Sequence, residues 1–156
     1  MSFIGVDIGG TKIRAARVLG DICQAHSDDL IPNKGTENEV LKVIKRTIQN
    51  VLNKNVKGIG VGVPSLVDSE LGIVYDVQNI PSWKKVNLKN ILESFFNIPV
   101  FINNDANCFA LGELNYGIGK NLNSFVALTI GTGIAGGIII EKKIYNGSNF
   151  GAGEFG

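Results

Sequence analysis

Twice in this chain a short glycine-rich turn separates two apolar segments, and this arrangement restricts the fold more than any other feature. The paired segments and their turns are FIGVDI (3–8) and IRAARV (13–18) around Gly9-Gly10-Thr11-Lys12, and FVALTI (125–130) and IAGGIII (134–140) around Gly131-Thr132-Gly133. Apolar runs of this length are typical of buried strands, and glycine is frequent in the tight turns of hairpins. The sequence therefore predicts two strand–turn–strand units, one near each end of the chain.

Composition and charge exclude several classes of protein. Fifteen Lys and Arg residues balance fourteen Asp and Glu residues, so charge gives no case for a nucleic acid or an anionic membrane as partner. No apolar run approaches the roughly 20 residues that span a bilayer. Two cysteines are too few for a disulfide framework or a cysteine-built zinc site. We therefore expect a globular, cytoplasmic protein without nucleic-acid or membrane partners.

The remaining periodicity indicates strands that alternate with helices. Thr36 and Glu39 form a capping-box pattern ahead of a helix, and Asn87 precedes a second helix. The other predicted parts are strands at 22–28, 57–63 and 99–102, a helix at 106–115, a loop at 65–86 and an aperiodic tail at 145–156. A meander of strands followed by alternating helices and strands predicts an α/β domain with a mixed sheet.

The first glycine turn carries candidate phosphate-binding groups. Glycine lets backbone N–H groups approach a phosphate because no Cβ stands in the way. Thr11 adds a hydroxyl donor and Lys12 a cation, while Asp7 could hold a metal ion through water. A plain hairpin turn explains the same residues equally well at this point.

The second glycine turn resembles the first one. GTGIAG (131–136) formally matches the dinucleotide fingerprint, but that fingerprint requires a following helix and the sequence continues as a strand. Gly131, Thr132 and Gly133 are better interpreted as a second copy of the first turn. Two such turns could hold a triphosphate from both sides.

A third candidate is Asn103-Asn104-Asp105, between a predicted strand and a predicted helix. Carboxylates at the C-terminal ends of sheet strands are where α/β folds place chemistry. The simpler interpretation, which the residues alone favour, is that Asp105 is the cap of its helix, a role worth about 1 kcal/mol. The residues alone do not exclude the other interpretation.

Taken together, these segments resemble the ROK family of sugar kinases and related repressors, most closely its glucokinase-like members. The resemblance covers the whole chain, in the order DIGGTK, GVGVPSLVD, NIPSW, VNLKNILE, INNDANCFALGE, TIGTGIAGGI and YNGSNFGAGEFG. It implies the actin-like ATPase (ribonuclease H-like) fold, in which two α/β lobes enclose nucleotide and sugar. Residues 1–120 would then form the N-terminal lobe with its mixed sheet, and 121–156 the first strands of an incomplete second lobe.

The resemblance also implies roles for individual residues. Asp105 corresponds to the base that accepts the proton of the attacking sugar hydroxyl, and Asp7 to the residue oriented toward Mg²⁺. The sugar-binding positions correspond to Ser65, Asn79, Asn104, Asp105 and Glu154, and the nucleotide-binding positions to Gly9, Gly10, Thr11, Lys12, Gly131, Thr132 and Gly133. The implied reactants are ATP with Mg²⁺ and a hexose, glucose being the leading candidate.

The chain departs from the family pattern in two places. Ser65 stands where the family usually has glycine, and the chain ends at Gly156, before the family's zinc segment. We therefore expect zinc ligands outside this chain and an isolated 156-residue chain without kinase activity. We also expect its apolar strands at 125–130 and 134–140 to favour self-association, and a homodimer is a further possibility.

Two other functions compete with the kinase. A sugar-responsive transcription regulator of the same family would carry an N-terminal helix-turn-helix domain, for which a DIGGT motif beginning at residue 7 leaves no room. A non-catalytic ATP-binding module would not require the sugar-binding residues of NNDAN and GAGEFG. Both features favour the enzyme.

Overall fold

The structure of the chain is a computed structural model that describes residues 1–131 and 133–155. Thr132 and Gly156 therefore lie outside the described residues. The elements, in chain order, are β1 (Ser2–Ile8), β2 (Lys12–Leu19), β3 (Ile22–Leu30), α1 (Glu37–Val51), β4 (Val56–Val63), β5 (Leu66–Asp68), β6 (Ile73–Tyr75), β7 (Lys85–Val86), α2 (Leu88–Phe96), β8 (Val100–Asn104), α3 (Asp105–Asn115), a 3₁₀ helix (Ile118–Asn121), β9 (Phe125–Ile130), β10 (Ile134–Ile140) and β11 (Lys143–Ile144).

The first sheet has five strands in the order β3-β2-β1-β4-β8. The pairs β1–β2 and β2–β3 are antiparallel, whereas β1–β4 and β4–β8 are parallel. Along β1 the side chains of Ile4, Val6 and Ile8 are buried and the intervening residues are exposed, as expected for a strand covered on one face. The predicted meander and mixed sheet are confirmed.

The helix α1 begins where the capping box predicts. The Thr36 side chain accepts a hydrogen bond from the Glu39 backbone N–H, and the Glu39 carboxylate accepts one from the Thr36 backbone N–H. Apolar residues at helical spacing, including Val40, Ile44 and Ile48, are fully buried in the same core as β1 and β4. This burial fixes the helix on the sheet.

The segment 65–86 is not the loop that the sequence predicts. It contains the three short strands β5, β6 and β7, paired antiparallel in a sheet of their own. Trp83 in this segment is fully buried in the main core. Strands of two or three residues are too short to show a period, which explains why the pattern missed them.

The third sheet, in the order β11-β10-β9, confirms the second predicted hairpin. One face of this sheet lies on α3, because a Cβ added to Gly137 would come within 2.4 Å of the Ala110 Cβ. The residues Asp105 and Cys108 of α3 lie on the first sheet, where a Cβ on Gly62 would be 3.5 Å from the Asp105 Cα and from the Cys108 Sγ. The helix α3 therefore connects the two sheets.

Within the residues that the structure describes, no helix is both long enough and apolar enough to cross a membrane.

Candidate functional site

Three residues lie in one row across the first sheet, next to the beginning of α3. Asp7 on β1 pairs with Gly62 on β4, and Gly62 pairs with Asn103 on β8. A Cβ on Gly62 would be in ordinary van der Waals contact with the Asp105 Cα, so the first turn of α3 lies over this row. The parallel strands β1, β4 and β8 thus place their polar C-terminal ends together, where α/β folds carry ligands.

The cap of α3 is Asn104, which decides between the two interpretations of this segment. The Asn104 carbonyl Oδ1 accepts hydrogen bonds from the backbone N–H groups of Ala106 (2.9 Å) and Asn107 (3.2 Å). Asp105 is the first helical residue, so the interpretation of Asp105 as the cap is wrong, and the helix begins one residue earlier than predicted. The Asp105 Oδ1 does accept a bond from the Ala106 N–H at 2.8 Å.

The Asn104 amide joins two further residues of the predicted sugar site. Its Nδ2 donates to the Ser65 backbone carbonyl at 3.2 Å and to Glu154 Oε1 at 3.3 Å. The Ser65 hydroxyl donates to the Tyr75 carbonyl, so this side chain is directed to the backbone of β6. The structure thereby brings Ser65, Asn104 and Glu154 together, although Glu154 is 50 residues away from Asn104 in the chain.

Backbone pairing with β10 holds Glu154 in place. Glu154 forms an isolated antiparallel bridge with Ala135, and the Gly136 N–H donates to the Gly153 carbonyl at 2.9 Å. Gly153 has a φ of +97°, and a Cβ there would lie 1.8 Å from the Gly136 carbonyl oxygen. Only glycine fits this position, so the chain reverses at Gly153 and presents Glu154 to the site.

The carboxyl group of Asp7 has a raised pKa. Partial burial and the negative charge of Asp105 both raise the pKa of Asp7, and the nearby Arg14 guanidinium opposes the rise. The same two carboxylates add to burial in raising the pKa of the Cys108 thiol to about 11. Two repelling carboxylates with hard oxygen donors suit a divalent cation such as Mg²⁺, whose charge would relieve their repulsion.

The first glycine turn is closed by a hydrogen bond from the Gly9 N–H to the Lys12 carbonyl at 2.8 Å. A Cβ on Gly10 would lie 2.7 Å from the Asn79 Nδ2, so a side chain at position 10 would displace Asn79. The structure therefore places Asn79 against this turn, and no described contact joins Asn79 to Asn104 or Glu154. Thr11 is exposed on the turn and is available to a ligand.

The second glycine turn has open space around it. The Gly131 N–H donates to the Gly133 carbonyl at 3.0 Å, and a Cβ added to either glycine would meet no atom within 4 Å. Packing within this chain therefore does not require glycine at either position. The predicted role of Thr132 falls on a residue outside the described part of the chain.

Three polar residues near the site were not predicted from the sequence. Asn107 Nδ2 donates to Asn103 Oδ1 at 3.0 Å and to Asn146 Oδ1 at 3.4 Å, and Asn146 Nδ2 donates to Ser69 Oγ at 3.2 Å. Asn107 is 2% exposed. A buried asparagine inside a helix is a signal that could have been noticed, because helix interiors rarely bury an amide without partners.

The residues that the structure describes contain no group of three or more His, Cys, Asp and Glu side chains that could hold a metal ion. Cys23 and Cys108 are free thiols.

Comparison with known proteins identifies the family of the chain. The profile described as "ROK family" matches residues 3–156. The beta-glucoside kinase of Listeria innocua is 38% identical over 158 residues, which cover 100% of this chain and 52% of that protein. The glucokinase of Streptomyces coelicolor is 36% identical over 156 residues, which cover 98% of this chain and 48% of that protein.

A solved structure gives the same result in three dimensions. The ROK family glucokinase of Streptomyces griseus, in complex with glucose and AMPPNP, superposes with a TM-score of 0.90 at 34% identity, covering 100% of this chain and 50% of that one. The fold is therefore α/β with a mixed sheet, as in the actin-like ATPase fold of ROK sugar kinases, and the chain spans about half the length of the relatives it matches. This chain belongs to the ROK family.

Proposed function

We propose that the whole protein is an ATP-dependent hexose kinase in which Asp105 is the general base. The observation that carries this proposal is the hydrogen-bonded cluster of Ser65, Asn104 and Glu154 next to Asp105. Each glycine turn is linked to the cluster through a nearby residue: Asp7, two residues before Gly9, shares a strand row with Asn103, and the Glu154 partner Ala135 follows Gly133 by two residues. A sugar at the cluster would thus have a phosphate-binding turn on each side.

The chemistry of the cluster suits a hexose. A hexose offers only hydroxyl groups, each a donor and an acceptor, and amides and carboxylates fixed in position can pair with both functions. A site built in this way rejects analogues that leave one of its polar groups unpaired. We assign Asn104 and Glu154 to the sugar hydroxyls, with the backbone at Ser65 beside them. We also assign Asn79 to the sugar pocket, and the support for this assignment is its contact with the first glycine turn.

Asp105 is placed to accept the proton of the attacking hydroxyl. General-base assistance of this kind contributes typically about 10²–10⁴-fold, and positioning and charge neutralisation supply the remainder in phosphoryl transfer. Glucose is the leading substrate, because relatives with similar sequences are named glucokinase and beta-glucoside kinase. This reaction would use the ATP pool of the cytoplasm.

Metal requirements follow from the donor sets. Asp7 would hold Mg²⁺ through water, and the ion supplies charge compensation for the phosphates when it is bound. The backbone N–H groups and side chains of Gly9–Lys12, and the second turn at 131–133, would contact the phosphates. A zinc ion would need ligands from outside this chain, since the described residues offer no cluster for one.

An ADP-release assay with Mg-ATP and a panel of hexoses tests the proposal. We expect the whole protein to show sugar-dependent turnover, fastest with glucose, and the isolated 156-residue chain to show none. Glu154→Gln should raise the KM for the sugar about tenfold or more, because a carboxylate that pairs with hydroxyls is lost. Glu141→Gln, a matched change at an exposed turn of the same sheet, should leave the KM unchanged.

Two results would contradict the proposal. The first is a folded whole protein that binds ATP but turns over with no sugar, which would favour a regulator or a binding module. The second is an equal effect of the two glutamate variants, which would remove Glu154 from the sugar site.

A further inference from the structure

A chain of side-chain amides runs beside the proposed sugar site without belonging to it. It begins at Asn103 on β8, passes through Asn107 on α3 and Asn146 in the segment after β11, and ends at Ser69 between β5 and β6. Its first residue is the neighbour of Asn104, and its third lies in the same segment as Glu154. The amide chain therefore connects the parts of the molecule that meet at the site.

The direction of this amide chain is set at one end. The Asn103 Oδ1 accepts a hydrogen bond from the Asn104 backbone N–H at 2.9 Å, so the carbonyl of Asn103, not its NH₂ group, faces this side. Asn107 must then direct its Nδ2 toward Asn103, and the second hydrogen of that NH₂ group is directed toward the Asn146 carbonyl. Asn146 consequently presents its own NH₂ group to the Ser69 hydroxyl.

Within the amide chain, Asn107 is the residue whose side-chain amide has only one possible orientation. Both of its bonds are donated, both acceptors are carbonyl oxygens, and its own Oδ1 is buried without a partner among the described residues. An unpaired buried acceptor is unfavourable, so the sequence retains the amide at an energetic disadvantage. At Asn146 the requirement is weaker, since the Ser69 hydroxyl at its other end can either donate or accept.

We propose that Asn107 is a positioning residue that holds the segment 145–155 against α3 and thereby fixes the Glu154 carboxylate beside Asn104. The expected consequence of this role, which is affinity for the sugar, rests on the proposed function. Asn107 does not touch the sugar itself. Its loss acts through the placement of Glu154, whereas we expect the turn at Gly9–Lys12, which joins β1 to β2, to be unaffected.

Isosteric variants of the whole protein test this inference by steady-state kinetics. In Asn107→Asp a carboxylate faces two carbonyl oxygens, so we expect the KM for glucose to rise about tenfold or more while the KM for ATP changes less than twofold. In Asn146→Asp the new carboxylate still accepts from Asn107, and the Ser69 hydroxyl can reverse, so we expect a rise of no more than about threefold. Asn50→Asp, where an exposed amide donates to the Ser27 hydroxyl, is the control outside the site.

A second variant guards against misfolding caused by a buried charge. Asn107→Ala removes both donors without adding charge, and we expect the same selective rise in the KM for glucose. Unchanged sugar KM in a folded Asn107→Ala protein would overturn the inference. So would equal rises in the KM values for glucose and ATP, since those would indicate general damage to the fold.

A measurement without catalysis separates this inference from the proposed function. If the whole wild-type protein phosphorylates no sugar, the proposed function fails, and amide NMR spectra of the 156-residue chain still test the amide chain. We expect Asn107→Ala to shift the backbone resonances of Gly153 and Glu154, and Asn50→Asp to leave them in place. Unshifted resonances in Asn107→Ala would show that Asn107 does not position this segment.

Discussion

The first and third sheets of the molecule are both joined to α3, but they are stabilised differently. The five-stranded sheet shares a large core with α1 and α2, in which residues such as Ile4, Ile44 and Leu92 are fully buried. The sheet of β9, β10 and β11 has only a small core against α3, in which Ala110, Ala127 and Ile139 are the buried members among the described residues. Its other face is apolar and exposed.

The core that stabilises the chain therefore lies mainly on the first sheet, whereas part of the candidate site lies on the third sheet. The first sheet holds Asp7 and Asn104 on a scaffold with a large apolar core, and apolar burial is the dominant favourable term in folding. The third sheet carries the second glycine turn and the Glu154 bridge, and it shares only a small core with α3. Substitutions in the two sheets should therefore have very different effects.

The largest effect is expected from truncation of the main core. Ile59 on β4 is fully buried, so Ile59→Ala should lower the free energy of unfolding by about 2–5 kcal/mol through lost burial and a cavity. Ile130 on β9 is 79% exposed, and Ile130→Ala should change it by less than about 0.5 kcal/mol. Urea denaturation of the two variants measures the difference, and equal losses would refute the comparison.

A smaller loss is expected where α3 meets the third sheet. Gly137→Ala would place a Cβ 2.4 Å from the Ala110 Cβ and 2.7 Å from the Ala106 carbonyl oxygen, so the hairpin must move. Overpacking of this kind costs about 1–3 kcal/mol. Gly60→Ala in β4, where a Cβ meets nothing within 4 Å, is the matched control and should be close to neutral in urea denaturation. A neutral Gly137→Ala would show that this contact is loose.

A modest gain in stability is expected from Asp7→Asn. The raised pKa of Asp7 means that the folded chain holds this proton more tightly than the unfolded chain, whose Asp value is near 3.8. Stability therefore falls as pH rises through the interval between these values, and the penalty is complete at neutral pH. Asp7→Asn removes the penalty, so it should stabilise the chain at about pH 7 and lose this advantage below about pH 3.8.

Urea titrations at neutral and acidic pH check this prediction, with Asp21→Asn in the exposed β2–β3 turn as control. A stability gain that persists unchanged at acidic pH would point to packing instead of charge. If Asp7 holds Mg²⁺ through water, the Asp7→Asn variant of the whole protein should also require more Mg²⁺ for activity. The destabilising charge of Asp7 would then be explained by its function.

The smallest effect on folding, but a visible effect on solution behaviour, is expected at the open face of the third sheet. Val126, Leu128 and Ile130 alternate along β9 on this face and are each more than half exposed. Exposed apolar strands of this kind favour pairing between chains. We expect the isolated chain to self-associate, and Leu128→Lys to reduce its mass in light scattering; a monodisperse wild-type monomer would contradict this.

Much of the fold could be predicted because its signals are local. The turn at Gly9–Lys12, the capping box at Thr36 and the cap at Asn87 each lie within a few residues, and all three are present. The short strands β5, β6 and β7 escaped prediction, since their pairing is set by neighbours in space. The cap of α3 was assigned one residue too late because Asn104 and Asp105 are both good capping residues.

The candidate site was predictable in its members but not in its connections. The motifs named Ser65, Asn104 and Glu154 without any sign that one amide joins all three. The bonds from Asn146 to Ser69 and Asn107 span 77 and 39 residues, and no local pattern encodes pairs at such separations. The contact of Asn79 with Gly10 likewise joins residues that are far apart in the sequence.

The most direct test of the account is the rate of phosphoryl transfer in Asp105→Asn of the whole protein. An asparagine can still accept the bond from the Ala106 N–H, so the fold and the binding of ATP should be retained. We predict that kcat falls by about 10²–10⁴-fold while the dissociation constant for ATP stays within about threefold. A kcat within about tenfold of the wild type, in a folded variant, would contradict the assignment of Asp105 as the base.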